Sequence, residues 1–258
     1  MRLADAVFDR MPAPVPAIDR AKACKIISHR GEHDNRGTME NTLAAFQGAA
    51  TAGVWGLEMD VRWTRDSEPV IFHDADLQRL YGCGQTVASL PFRDLRQHFP
   101  DIPSLEEAVS RFGGKQHLMI EIKDSLGGGA QVRRSRLLEV LRPLDPVRDY
   151  HLLALRPEIL PAFDGIIPQA RVAVCGGWPG RYSRWVRNHR WRGICGHYLL
   201  MSGALVRNHH RYGQRIGTGY VQSRNCLYRE LDRGIDWIFS NHAAMLQGFL
   251  PRNSRNGS

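Results

Sequence analysis

The chain has 258 residues, of which 43% are hydrophobic and 24% charged, so it holds ample core material and is no disordered polymer. Its formal charge of +9 favours anionic partners, whether phosphates, nucleic acid or an acidic membrane surface, without choosing among them. The five cysteines are scattered without a C-x-x-C pair, Asp5, Asp9 and Arg10 interrupt the apolar start, and no stretch has the length of a membrane span; together these predict a soluble, cytoplasmic protein with reduced thiols.

In chain order, residues 1–24 read as an N-terminal extension whose Pro12, Pro14 and Pro16 stop any helix begun by Leu3, Val7 and Phe8. Such a segment can close a barrel floor or rest on a membrane, and the first is the better expectation because a barrel needs its bottom covered. From Lys25 onward, short apolar runs alternate with amphipathic stretches. Strands are predicted at 25–28, 56–61, 117–122, 151–154, 171–174, 193–196, 215–218 and 235–239. Helical patterns lie between them, at 42–52, 135–141 and 227–232, and Ser104-x-x-Glu107 has the spacing of a capping box. Eight strands in βα alternation predict an α/β fold, a single-domain (β/α)₈ barrel over residues 25–250; a doubly wound open sheet would alternate in the same way. Gly127-Gly128-Gly129 reads as a mobile loop after the third strand, and residues 251–258 as a polar, disordered tail.

The chemistry lies near strand ends. Side chains two apart on a strand share a face, so Glu58 and Asp60 point one way, as do Glu121 and Lys123. Three carboxylates brought together repel one another in a low-dielectric cleft, and a hard divalent cation with oxygen ligands relieves that repulsion. Solvated strand-end charges paired with Lys or Arg are the plainer reading of each pair alone. His29 ends the first strand and His73 follows the apolar run Pro69-Val70-Ile71-Phe72. Two imidazoles can divide proton uptake and proton delivery, as cleavage of a phosphodiester requires.

The segments taken together are more specific than any one of them. They are His29-Arg30-Gly31, Glu40-Asn41-Thr42, Glu58-Met59-Asp60-Val61, His73-Asp74, Ile102-Pro103-Ser104-Leu105-Glu106-Glu107 and Glu121-Ile122-Lys123. In this order and spacing the chain resembles the glycerophosphodiester phosphodiesterase family, densely from Ile26 to Lys123 and thinly afterwards. The resemblance implies a (β/α)₈ barrel in which Glu58, Asp60 and Glu121 hold one divalent metal, magnesium or calcium, with manganese a further candidate. It implies His29 and His73 as general acid and base, Arg30 and Lys123 as phosphate ligands, and a small phosphodiester as substrate, cleaved to glycerol 3-phosphate and an alcohol. The later chain departs from the family pattern. Gly219-Tyr220-Val221-Gln222 stands where W-T-V-N is usual, Ser240-Asn241 where T-D is usual, and Ala154-Leu155 where S-F is usual. These positions shape the pocket around the leaving alcohol, so they leave the headgroup open, and Tyr220 is a candidate for the missing aromatic surface.

Two other functions compete. A lysophospholipase D-like enzyme would act on lipid phosphodiesters through weak membrane or lipid contact, and a non-catalytic basic barrel would bind an anionic polymer. Trp178, Tyr182, Trp185 and Trp191 interleave with arginines, as membrane- or nucleic-acid-binding segments do. On a helix, however, Tyr182, Trp185, Val186 and His189 share one face, which suits packing on the barrel. No specific nucleic-acid partner is therefore expected. His209-His210 reads as a surface pair, since adjacent helical residues do not share a metal.

Overall fold

The computed structural model describes residues 7–251. Leu3 and the other residues before Val7, and the tail from Arg252 on, lie outside the described residues.

Eight parallel strands close into a barrel: β1 (Lys25–His29), β2 (Gly56–Trp63), β6 (His117–Ile122), β7 (Tyr150–Ala154), β8 (Arg171–Cys175), β9 (Gly193–His197), β10 (Arg215–Gly219) and β11 (Trp237–Ser240). The ring closes because β1 pairs with both β2 and β11, which rules out the open doubly wound sheet. Between β2 and β6 lie three short strands that periodicity did not reveal. One, β3 (Pro69–Ile71), runs antiparallel to the end of β2, and β4 (Asp76–Leu77) pairs with β5 (Cys83–Thr86).

Strand alternation separates two apolar layers. Ile26, Leu57, Met59, Leu118, Ile120, Leu152, Ala173, Ile194 and Ile216 face the helices outside the barrel. Ile27, Met119, Leu153, Val172, Cys195, Trp237 and Phe239 fill its interior. Met59 therefore points outward, and its neighbours Glu58 and Asp60 point in. The helices start and stop where local chemistry dictates. Thr42 caps Leu43–Thr51 by accepting from the Ala45 N–H, and Ser104 and Glu107 form the expected capping box at the start of Leu105–Phe112.

Two helical expectations are corrected. The residue His209 is fully buried, not at the surface: on Gly203–Arg211 it shares its inner face with Val206, three residues earlier, and its Nε2 lies 2.9 Å from Ser183 Oγ. Only His210 faces outward, 2.8 Å from Asp236. On Pro179–Asn188, Val186 is buried with Tyr182 and Trp185 packed beside it, but His189 lies beyond the helix end, exposed, and stacks on Trp185. Gly127–Gly129 forms a 3₁₀ turn that leads into the helix Ala130–Leu141. None of the five cysteines is in a disulfide, and no helix among the described residues is long and apolar enough to cross a membrane.

Candidate metal centre and its surroundings

Register sets the height of each side chain in the barrel. His29 pairs with Glu58, and Glu58 with Met119; one step higher, Asp60 pairs with Glu121. All of these positions face inward, so the two strands stack three acids in adjacent layers near the C-terminal end of the barrel. One carboxylate oxygen from each of Glu58, Asp60 and Glu121 lies within 4.8 Å of the others.

The three carboxylates are not equivalent. Asp60 is fully buried, with Lys123 Nζ 2.8 Å from one oxygen and Arg30 Nε 3.1 Å and Asn41 Nδ2 2.8 Å from the other. Burial alone would raise its pKa, but Lys123 and then Arg30 hold it below the ordinary aspartate value. Glu58 receives the Arg30 backbone N–H at 3.1 Å on Oε2, while its buried Oε1 has no partner. Burial, followed by the charges of Asp60 and Glu121, pushes Glu58 well above the usual carboxylate range. Burial also raises Glu121, against the pull of Lys123, whose Nζ lies 2.8 Å away. A buried, partnerless carboxylate oxygen beside two further carboxylates is a donor set that fits a hard divalent cation.

Both imidazoles border this cluster. His29 Nε2 lies 3.8 Å from Glu58 Oε2, and its Nδ1 lies 2.6 Å from Asn241 Oδ1, just beyond β11. The amide oxygen accepts, so Nδ1 carries the proton and Nε2 presents a lone pair. Burial and then Arg30 push His29 down to about 4. His73 follows β3, whose neighbour Phe72 donates its N–H to the Asp60 carbonyl at 2.9 Å. Its Nδ1 lies 2.7 Å from Asp74 Oδ1, and Arg79 Nε holds the other oxygen of Asp74 at 2.6 Å. Burial lowers the pKa of His73 too, while Asp60 raises it.

The turn after β1 is built for this site. Arg30 (φ 62°) and Gly31 (φ 80°) are both left-handed, and a Cβ on Gly31 would sit 2.6 Å from the backbone of Ala45, so only glycine fits there. The turn aims the Arg30 guanidinium at Asp60 and at Glu40, whose Oε1 lies 3.0 Å from Nη1. Glu40 also binds Arg79 at 2.6 Å and Asn35 Nδ2 at 2.7 Å. All seven side chains singled out in the sequence thus lie around one cluster. What sequence reasoning missed is the frame that holds them: Glu40, Asn41, Asp74, Arg79 and Asn241. Glu40, Asn41 and Asp74 were visible as parts of motifs but carried no role, and Asn241 stood out as a departure from the usual T-D; nothing local ties it to His29, 212 residues away.

The fold and this acid-and-imidazole centre together match one class of protein. The profile of the glycerophosphoryl diester phosphodiesterase family matches residues 29–245, and the chain belongs to that family. Glycerophosphodiester phosphodiesterase 1 of Mus musculus is 39% identical over 106 residues, 36% of this chain and 30% of its own. Lysophospholipase D GDPD1 of Rattus norvegicus is 44% identical over 69 residues, 27% of this chain and 21% of its own. The matches thus span less than a third of either relative. The fold is shared with an Oleispira antarctica phosphodiesterase solved in complex with the product sn-glycerol-3-phosphate. It is 23% identical, with a TM-score of 0.73 over 87% of this chain and 96% of that one.

Proposed function

We propose that this chain is a metal-dependent hydrolase that cleaves glycerophosphodiesters to glycerol 3-phosphate and an alcohol. The observation that carries the proposal is the convergence of Glu58, Asp60 and Glu121 within 4.8 Å, with His29 at 3.8 Å from Glu58. These three acids would hold one divalent ion, magnesium or calcium, with manganese a further candidate. When bound, the ion supplies Lewis acidity to phosphoryl oxygens and lowers the pKa of a coordinated hydroxyl.

The chain's own groups divide the remaining work. His29, protonated on Nδ1 toward a neutral amide and set beside Arg30, keeps its Nε2 free to take a proton from the attacking hydroxyl. His73 is held on Nδ1 by Asp74, whose charge and that of Asp60 offset part of the burial that lowers its pKa, and it takes the complementary role of giving a proton to the departing alkoxide. Arg30 and Lys123 offset charge on the phosphoryl oxygens. The test is release of glycerol 3-phosphate from glycerophosphodiesters by purified protein, with and without EDTA. Metal-replete protein that releases none and cleaves no other phosphodiester would overturn the proposal. Salt-sensitive RNA binding without hydrolysis would instead favour the non-catalytic barrel.

A second reading, a lysophospholipase D-like enzyme, rests on the rim. Leu155, Trp178, Leu199 and Tyr220 are all exposed, Trp178 by 83% and Tyr220 by 61%, and each follows one of the four adjacent strands β7–β10. The acids and histidines occupy the opposite side, on β1, β2 and β6 and the segment after β3. An apolar arc facing a polar one suits a diester that carries an acyl chain. Faster turnover of lysophospholipids than of glycerophosphodiesters would favour this reading, and liposome co-sedimentation would test the weak membrane contact.

A further inference from the structure

The opposite end of the barrel holds a concentration of basic side chains. Lys25 opens β1, Arg215 opens β10, Arg192 immediately precedes β9, and His151 is the second residue of β7. These four, with Trp55 and Trp237, line a cavity of about 450 Å³. It lies at the N-terminal ends of the strands, so the packed interior layer of Ile27, Met119, Leu153 and Val172 separates it from the acids.

Charge here is uneven. Asp236 also lines the cavity, but its carboxylate is spent on Arg215 at 2.6 Å, His210 at 2.8 Å and the Ile216 N–H at 2.9 Å. Arg20, on the rim, is held by Asp232. Lys25 and Arg192 have no carboxylate partner among the described residues, and the Arg192 Nε is buried without any acceptor. Lys25 instead lies 4.5 Å over the ring of Trp55. Burial together with Arg215 depresses both cations, so an anion placed between them would relieve a real penalty.

A hydrogen-bond relay fixes the chemistry of the inner wall. His117 Nδ1 lies 2.9 Å from the Arg148 carbonyl, which can only accept, so the proton of His117 is on Nδ1. Its Nε2 must then accept from His151 Nδ1, 2.7 Å away, and that leaves His151 Nε2 as a bare lone pair. That atom is buried and has no partner, in a side chain that is 2% exposed and lines the cavity. It is an acceptor waiting for a donor, in a pocket whose other free groups are cations.

We propose that the barrel floor is a binding site for a phosphate group, with Lys25 and Arg192 contacting its anionic oxygens and His151 Nε2 accepting its remaining proton. At neutral pH a free phosphate ion carries both charge and an O–H, and a phosphomonoester with a nearby hydroxyl offers the same pair. Sulfate has the same shape and charge but no proton to give, so the site discriminates against it.

Isothermal titration at pH 7 of the full chain with inorganic phosphate, glycerol 3-phosphate and sulfate tests this. Because glycerol 3-phosphate is also the expected product at the acid cluster, the one of the first two whose binding the floor variant Lys25→Gln/Arg192→Gln weakens more identifies the ligand as the free ion or the ester. Sulfate is expected to bind at least about tenfold more weakly than that ligand, because the His151 acceptor is left unpaired. Lys25→Gln/Arg192→Gln is expected to lose about tenfold or more in the same titration while keeping diester turnover and thermal stability, which shows that it folds. Phosphate binding unchanged in the double variant overturns the site; sulfate bound as tightly as phosphate overturns the role of His151.

Discussion

Asn241 Oδ1 lies 2.6 Å from His29 Nδ1, so a residue just past the last barrel strand fixes the tautomer of a residue that ends the first. Replacing Asn241 with leucine keeps the volume and removes the acceptor. The expected outcome for Asn241→Leu is a fall in kcat of about 10–100-fold with KM nearly unchanged, because the imidazole loses its orientation and not its place. Steady-state kinetics at saturating metal measures this. A wild-type kcat would remove Asn241 from the account.

The stacked acids should behave oppositely with and without metal. In EDTA, Glu58→Gln removes one of three mutually repelling carboxylates, and the variant is expected to melt no lower than wild type. With divalent ion at about one hundred times its Kd, wild type should gain about 2.7 kcal/mol and the variant little or nothing. Thermal melts in both conditions decide it. Equal metal-induced stabilisation of the two proteins would show that Glu58 is not a ligand.

Glu40 sets a stability limit on the acid side. Burial alone would raise its pKa, but hydrogen bonds from Arg79 and Asn35 and the charge of Arg30 hold it at about 2 against an ordinary 4.5. A carboxylate depressed by folding stabilises the native state above the unfolded pKa and loses that contribution as pH falls through the folded one. The window therefore runs from about 4.5 down to about 2, and the contribution is on the order of 3 kcal/mol. Urea unfolding of wild type and Glu40→Gln at several pH values should give curves well separated at pH 6 that converge as pH approaches 2. A gap that stays constant through that window would rule out the linkage.

The apolar arc predicts a split between substrates. Trp178→Ser/Leu199→Ser should lower turnover of a lysophospholipid by about tenfold or more, from lost contact with the acyl chain, and leave bis(p-nitrophenyl) phosphate hydrolysis unchanged. Equal losses on both substrates would point to a distorted site and away from lipid contact.

The pattern of what sequence revealed follows from the range of each interaction. Glu58-Met59-Asp60 was legible because strand alternation alone puts both acids on one face, and the burial of Met59 on the other confirms it. Eight strands were legible because each is an apolar run between turn residues. The three-residue β3 was not, since a run that short has no period to read. His209 was misplaced because its helix is polar on average and the Ser183 hydroxyl, 26 residues earlier, is a partner for the buried imidazole that the local sequence does not show. Glu40 and Asn241 act through partners that the chain brings together only by folding.

The seam where β1 meets both β2 and β11 also orders events during synthesis. Glu58, Asp60 and Glu121 are all made well before Asn241. Yet His29 lacks its hydrogen-bond acceptor until residue 241 has emerged and docked. Competence thus arrives only with ring closure, and a stalled or truncated product that ends before β11 carries the acids without a correctly held imidazole.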